Sequence, residues 1–259
     1  MVDPSVSLTD RIAETLRDQI QSGAYIAEEG RMPSEVDQAT HFGVHRGTVR
    51  NALAQLIAEG LVAVRPGRGY FVRRFEPLDW WPGTFEHLAH RRDHDGAGAD
   101  AWAADVIHRG GEPRQDVDVS IVDPSPRVAT YLCIPPGETV VVRRRLRWSG
   151  KLRVHTADSY YPIWVAEGSP IMTPGDVTIP GGLMAAAGHQ QRWFDDTIEI
   201  RMPSREEVSR LDLQPGTPVA VHWRVGFDAQ DRPVRCIVTT LPGNRNRIRM
   251  RFPADEEAP

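Results

Sequence analysis

The side chains whose type and spacing suit them to chemistry in this sequence are arginines, and they fall into two groups. Arg46 and Arg50 stand about one helical turn apart with Thr48 between them, and Arg65 and Arg68 bracket the turn Pro66-Gly67 shortly afterwards. A guanidinium grips phosphate as a charge and guanine through a pair of parallel donors, so this group suits double-stranded DNA. From Val44 to Arg74 six arginines stand against the single Glu59, which concentrates positive charge in a chain whose net charge is −4. The second group, Arg143, Arg145 and Arg147, alternates along a strand-like run and so shares one face, where it would suit a carboxylate or a phosphate. The alternative for that face is plain solvation, common in antiparallel sheets.

Other chemistry has little support. Cys133 and Cys236 stand far apart with no Cys/His cluster, so no metal site is expected. Lys151 is the only lysine and falls in a predicted hairpin turn, a poor place for a Schiff base. His155, His189 and His222 are scattered. Neither an enzyme nor a cofactor is predicted.

The elements that must carry the first group are legible. Leu8, Ile12, Leu16 and Ile20 recur at four-residue steps behind Ser7, predicting a helix over 8–22 that stops at Gly23. Ser34 is placed to cap a short helix whose Val36, Ala39 and Phe42 face inward, and Gly43 breaks it. A third helix from about Arg46 to Glu59 buries Val49, Leu53, Leu56 and Ile57. Leu61–Arg65 and Tyr70–Val72 then read as a hairpin about the tip Pro66-Gly67-Arg68-Gly69. Helix, turn, helix and basic wing is the geometry that lays a helix N-terminus in a major groove, with Gly67 letting the backbone approach a phosphate and Arg68 reaching a minor groove.

The second half contains a repeat. Leu132, Ile134, Pro136, Gly137, Val140, Val142 and Arg145 match Leu211, Leu213, Pro215, Gly216, Val219, Val221 and Arg224 at a constant offset of 79. Each copy reads as a helix, a Pro-Gly turn and a hairpin: Val140–Trp148 with Arg153–Tyr161, and Val219–Phe227 with Val234–Leu241. Two related hairpins predict one pseudo-symmetric antiparallel sheet, with His222 and Arg224 on the face that matches the arginines. Ser204 and Glu207 form a capping box, Thr197–Met202 is strand-like, and a short helix is expected from Pro180–Met184 and another over 100–109. The fold class is therefore α+β, divided as 1–75, a connection over 76–99, 100–252, and a tail over 253–259. Trp80 and Trp81 argue that part of the connection packs against a domain. No run approaches the roughly 20 apolar residues of a membrane span and no signal peptide is visible, so the cytoplasm is the expected compartment.

The run RMPSEVDQATHFGVHRGTVRNALAQLIAEGLVAVRPGRGYFV resembles the signature of the GntR family of bacterial repressors over residues 8–73. By that resemblance Arg46, Thr48, Arg50, Gly67 and Arg68 are the expected DNA contacts, and Ser34 and His45 are further candidates. Three positions depart: Val36 where an arginine is frequent, His45 where a serine caps the recognition helix, and Gly47 where a threonine is common. His45 is expected to cap poorly, and either contacts DNA or is simply exposed. The second half, through VVRRRLRWSGKL, DSYYP, SPIMTPGDVTIPGGLM and LDLQPGTPVAVHWRV, resembles the UTRA sensor domain of the HutC subfamily, with its chorismate-lyase-like fold. That resemblance implies a small-molecule effector between the halves of the sheet, with Arg145 and Arg147 among its contacts; strand alternation adds Arg143, His222 and Arg224, and Asp158 and Tyr160 are further candidates. An apparent extra residue precedes Asp158. The implied function is a homodimeric repressor released from an inverted-repeat operator by an anionic effector. The alternatives are a DNA-binding scaffold or partition-type protein whose second half only dimerises, and a lyase-like enzyme.

Overall fold

A computed structural model describes residues 7–25, 30–72, 77–82, 101–108, 110–177, 179 and 182–251. Arg73 and Arg74, the connection beyond Pro82 and the 253–259 tail lie outside the described residues. The chain divides into two compact units, Met1–Glu76 with Leu213–Thr217, and Pro77–Asp212 with Pro218–Pro259. Among the described residues no helix is long and apolar enough to cross a membrane.

In the first unit α1 spans Leu8–Gln21, α2 Glu35–Phe42 and α3 Arg46–Ala58, followed by β1 (Val62–Arg65) and β2 (Gly69–Val72). Ser7 caps α1, and Ser34 and Asp37 close a capping box on α2. The inward faces of the three helices meet in one core of Ile12, Leu16, Ala39, Val49, Leu53 and Leu56, sealed by Val62 and Val72 of the antiparallel wing. Val36, expected to face inward, is instead exposed.

The second unit opens with β3 (Leu78–Trp80), in the segment read as a connection. It pairs in parallel with β10 (Asn246–Ile248), and its alternation buries Leu78 and Trp80. Then α4 (Ala101–His108) sets Trp102 and Val106 beside Leu78 and Val154. The main sheet comprises β4 (Pro113–Val122), β5 (Val140–Ser149), β6 (Leu152–Pro162), β7 (Trp193–Arg201), β8 (Val219–Phe227) and β9 (Pro233–Pro242). Its order is β4-β5-β6-β9-β8-β7, and each of its neighbouring strand pairs is antiparallel. The repeat thus appears as β4-α5-β5-β6 and β7-α8-β8-β9, where α5 is Pro126–Tyr131 and α8 is Arg205–Leu211. The halves meet at β6 and β9, which makes the sheet pseudo-twofold.

Both repeat helices pack on one face: Val128 and Leu132 join Val140, Val225 and Cys236, and Arg210 of α8 grips Asp158. The opposite face carries the arginines. Its β5 end is covered by α6 (Ile163–Ala166), a 3-10 turn (Pro170–Met172) and α7 (Gly182–Ala186), through Val141, Tyr161, Ile171 and Met184. On the β8 side Trp80 packs on Ala220 and Leu241.

The helix-turn-helix depends on Gly43, which closes α2 at φ +65° with nothing within 4 Å of where a Cβ would stand. Gly43→Ala should therefore cost only the left-handed strain, about 1–2 kcal/mol, read as a lowered urea midpoint without a change of slope.

Candidate nucleic-acid interface and effector site

The N-terminus of α3 presents Arg46 and Arg50 with about 60% of each side chain exposed (56% and 61%). Both converge on one carboxylate, Glu35 at the start of α2. Arg50 donates Nε to Oε1 at 3.0 Å and Nη2 to Oε2 at 2.8 Å, Arg46 donates Nη2 to Oε2 at 3.3 Å, and the Tyr70 hydroxyl of β2 donates to Oε1 at 2.7 Å. These donors, led by Arg50, hold the Glu35 carboxyl down at about 2. Thr48 is half-buried on the same turn, and Gly67 is exposed at the wing tip.

His45 caps α3 after all: its Nδ1 accepts the Gly47 N–H at 3.1 Å. The two departures at 45 and 47 are also one device, because a Cβ on residue 47 would stand 3.3 Å from that nitrogen. Along the wing, Arg65 and Arg68 lie over the Phe71 ring at 4.2 and 5.8 Å, which keeps their charge on one side of the hairpin. Between the wing and the start of α2 runs a cleft of about 250 Å3 lined by Arg31, Ser34, Arg68 and Tyr70, among others. Arg31 escaped the sequence reading because it precedes the helix and belongs to no periodic pattern. Ser34 is exposed but engaged with Asp37.

In the second unit the strand register places Arg143, Arg145, Arg147, His155, Ser159, Tyr161, His222, Arg224 and Arg235 on one face. Arg143 is buried to 1% exposure and donates to three carbonyls, Ile171 O, Thr173 O and Gly175 O, at 2.7–2.9 Å. It holds the loop after the 3-10 turn. Arg145 and Arg235 both donate to the buried Ser159 Oγ, at 3.2 and 3.0 Å. Beside them the Tyr161 hydroxyl is fully buried next to the Ser159 side chain. Burial pushes that phenol up, but Arg235, Arg145, the Ser159 hydroxyl and Arg143 outweigh it and bring it below its ordinary value. Ser159, Tyr161 and Arg235 were not singled out from sequence.

The remaining candidates are engaged elsewhere. Arg147 lies 3.5 Å from His155 Nε2 and over the Trp102 ring. Arg224 is bidentate to Asp196, which also takes His222 at 2.8 Å. Burial opposes ionisation of Asp196, yet these donors hold its carboxyl well below the usual range. Asp158 and Tyr160 occupy the other face, where Asp158 accepts two hydrogen bonds from Arg210 at 2.7 and 2.8 Å and Tyr160 packs with the helix-side core. The structure therefore separates this pair from the arginines.

A winged helix-turn-helix joined to an antiparallel-sheet unit with a cationic face defines a one-component DNA-binding regulator. Residues 8–72 match the gntR family of bacterial regulatory proteins and residues 108–247 match the UTRA domain. The chain is 36% identical to the HTH-type transcriptional regulator SCO4628 of Streptomyces coelicolor, over 81% of this chain and 77% of that protein. It is 30% identical to the HTH-type regulator RB1450 of Rhizobium meliloti, over 95% of each. A crystal structure of a GntR-family transcriptional regulator, 24% identical, shares the fold over 95% of this chain and 98% of that one, with a TM-score of 0.63. The protein belongs to the GntR family of transcriptional regulators and carries a UTRA effector-binding domain.

His155, fully buried beside the Arg147 cation, has its pKa pushed well below 6.5 by burial first and by Arg147 second. The unfolded chain takes up this proton near pH 6.5 while the folded chain does not, so stability is complete above that pH and falls as the pH is lowered below it. Urea titrations from pH 7.5 to 5 should show a steeper decline for wild type than for His155→Gln, by at most one proton, about 1.4 kcal/mol per pH unit. Parallel curves would place the His155 proton elsewhere.

Proposed function

We propose that this regulator acts in the cytoplasm as a homodimeric repressor, and that an anionic small molecule releases it from its operator. The observation that carries the reading is the group Arg143, Arg145 and Arg235 around Ser159 and Tyr161. Among the described residues no carboxylate is in ion-pair range of Arg143 or Arg145, whereas Arg144, Arg210 and Arg224 each have one. A partly buried face carrying guanidinium groups, a serine hydroxyl and a buried phenol fits an anion that also offers a polar atom to Tyr161. Within this set Arg145 is the ligand contact and Arg143 holds the adjoining loop.

Repression rather than effector-dependent activation is supported by the first unit. Arg46 and Arg50 are held outward by contacts wholly within that unit, so DNA binding needs no help from the effector. Two such units related by a dimer axis would meet an inverted repeat, with the α3 helices in major grooves about one helical turn apart. Ligand would then lower operator affinity by as much as it prefers a spacing of the units that misfits the half-sites.

In vitro selection on random duplexes should return an inverted repeat. Arg46→Ala or Arg50→Ala should weaken binding to it by about 1–3 kcal/mol, and unchanged affinity in both would remove these residues from the contact set. A thermal-shift screen of phosphosugars and small carboxylates, followed by operator-release assays on hits, tests the sensor. Arg145→Ala should keep operator binding and lose release. Arg143→Ala should instead lower stability by roughly 1–3 kcal/mol, through carbonyls left unpartnered in the loop. Full release in the Arg145 variant would refute the site.

A further inference from the structure

We propose that Glu35 is a positioning residue for base readout, bracing Arg46 and Arg50 at the groove-facing end of α3 while Tyr70 ties the brace to the wing. The inference rests on the reading that these two arginines meet base edges. It goes beyond it by naming what aims them.

Arg50 engages Glu35 through Nε and Nη2, its side edge. Its end fork, an N–H on each of Nη1 and Nη2, is left over, and that fork is the one a guanine takes through O6 and N7. Glu35 therefore fixes the plane of Arg50 without occupying the donors that would read a base. Arg46 gives Glu35 only Nη2 and keeps its Nη1 donors. Both side chains remain more than half exposed although Glu35 itself is only 12% exposed, so the anchored ends lie inside and the reading ends outside.

Next comes the count of acceptors. Glu35 Oε1 takes Tyr70 Oη and Arg50 Nε, while Oε2 takes Arg50 Nη2 and Arg46 Nη2. A carboxylate offers about four lone-pair sites, and four donors use them. Glu35 is thus saturated by protein, which leaves no site for a cytosine amino group and makes it a support rather than a reader. The four donors also stiffen one another: a flexible arginine on a helix surface would lose its freedom on binding DNA, and here that loss is already incurred on folding. The carboxyl held at about 2 stays ionised across any working pH. Tyr70 follows the wing-tip residues Arg68 and Gly69 on β2, so the brace sets the angle between wing and recognition helix as well.

The test uses the full-length protein, the selected operator, its single-base-pair variants and a non-specific duplex, with affinities measured by anisotropy at fixed salt. Glu35→Gln should weaken operator binding on the order of tenfold, flatten base preference at the pairs that Arg50→Ala also flattens, and leave non-specific binding equal or tighter, since a negative charge has gone. Tyr70→Phe, which keeps the ring, should give a smaller loss at the same pairs. Glu35→Gln combined with Arg50→Ala should be no worse than Arg50→Ala alone. Tighter operator binding by Glu35→Gln would mean that the carboxylate competes with DNA, and equal losses on operator and non-specific duplex would mean that it serves only the fold. Either overturns the proposal. If Arg50→Ala itself leaves operator affinity unchanged, the base-contact reading fails first and the positioning role with it, and that outcome is distinct from a failure of Glu35 alone.

Discussion

A guanidinium cannot shed its charge, and this chain, with 31 basic residues of which one is lysine, has had to place that charge again and again. Three solutions recur. Carboxylates take Arg50, Arg201, Arg210 and Arg224 in two-toothed pairs. Backbone carbonyls take buried arginines: Arg245 donates to Arg153 O, Leu211 O and Asp212 O, as Arg143 does to its loop. Aromatic faces take others, with Arg65 on Phe71 and Arg127 on Trp223. The proposed contacts lie where the matching is incomplete. Arg31 and Arg68 line a cleft at the wing without an ion pair among the described residues, and Arg145 on the sheet has only a serine hydroxyl shared with Arg235.

Which side chains of β6 join the arginines on the sheet is decided by a single inserted residue. In β6, Leu152 pairs with Ser149 and Arg153 with Trp148, but Arg147 pairs with His155. Val154 is the extra residue of a bulge, and it corresponds to the insertion that precedes Asp158. An unbroken hairpin would set Asp158 opposite Arg143 and Tyr160 opposite Val141, on the arginine face. The bulge moves every later side chain of β6 across the sheet, so Ser159 and Tyr161 arrive there instead and Asp158 becomes the partner of Arg210. Buried Val154 packs with Trp102 and Leu78, which gives the extra residue an apolar place to go.

Much of the fold was legible because local signals agreed with the tertiary result. The three N-terminal helices carry a clear apolar period, the first two behind Ser7 and Ser34 caps, and the offset of 79 exposed the sheet's pseudo-symmetry. Three strands were missed for physical reasons. On the edge strand β4, Val117, Val119 and Ile121 never become fully buried, and their alternation with Asp116, Asp118 and Ser120 leaves no strong apolar run. The others, β3 and β10, have three residues each and exist only because each, remote in sequence, supplies the other's partner. The candidate site was legible as residue types and less so as partners. Arg46, Arg50 and Arg145 announce themselves by spacing. Glu35 does not, because a glutamate in a first helical turn has a sufficient explanation in the helix dipole.

The same electrostatics bears on the proposed effector face. Burial pulls the pKa of Arg143 down first and Arg145 second, with Tyr161 and Asp176 opposing and Arg235 adding to the fall. The loop carbonyls relieve part of this, since they are dipoles rather than charges. An anion entering the face would relieve more, and the relief would be largest in whichever arrangement brings Arg145 and Arg235 closest to it. Binding energy is thus tied to the positions of strands β5 and β9, which belong to opposite halves of the pseudo-symmetric sheet. A ligand that pulls on both halves at once has a differential affinity for two sheet geometries, and that is the requirement for shifting a population between them.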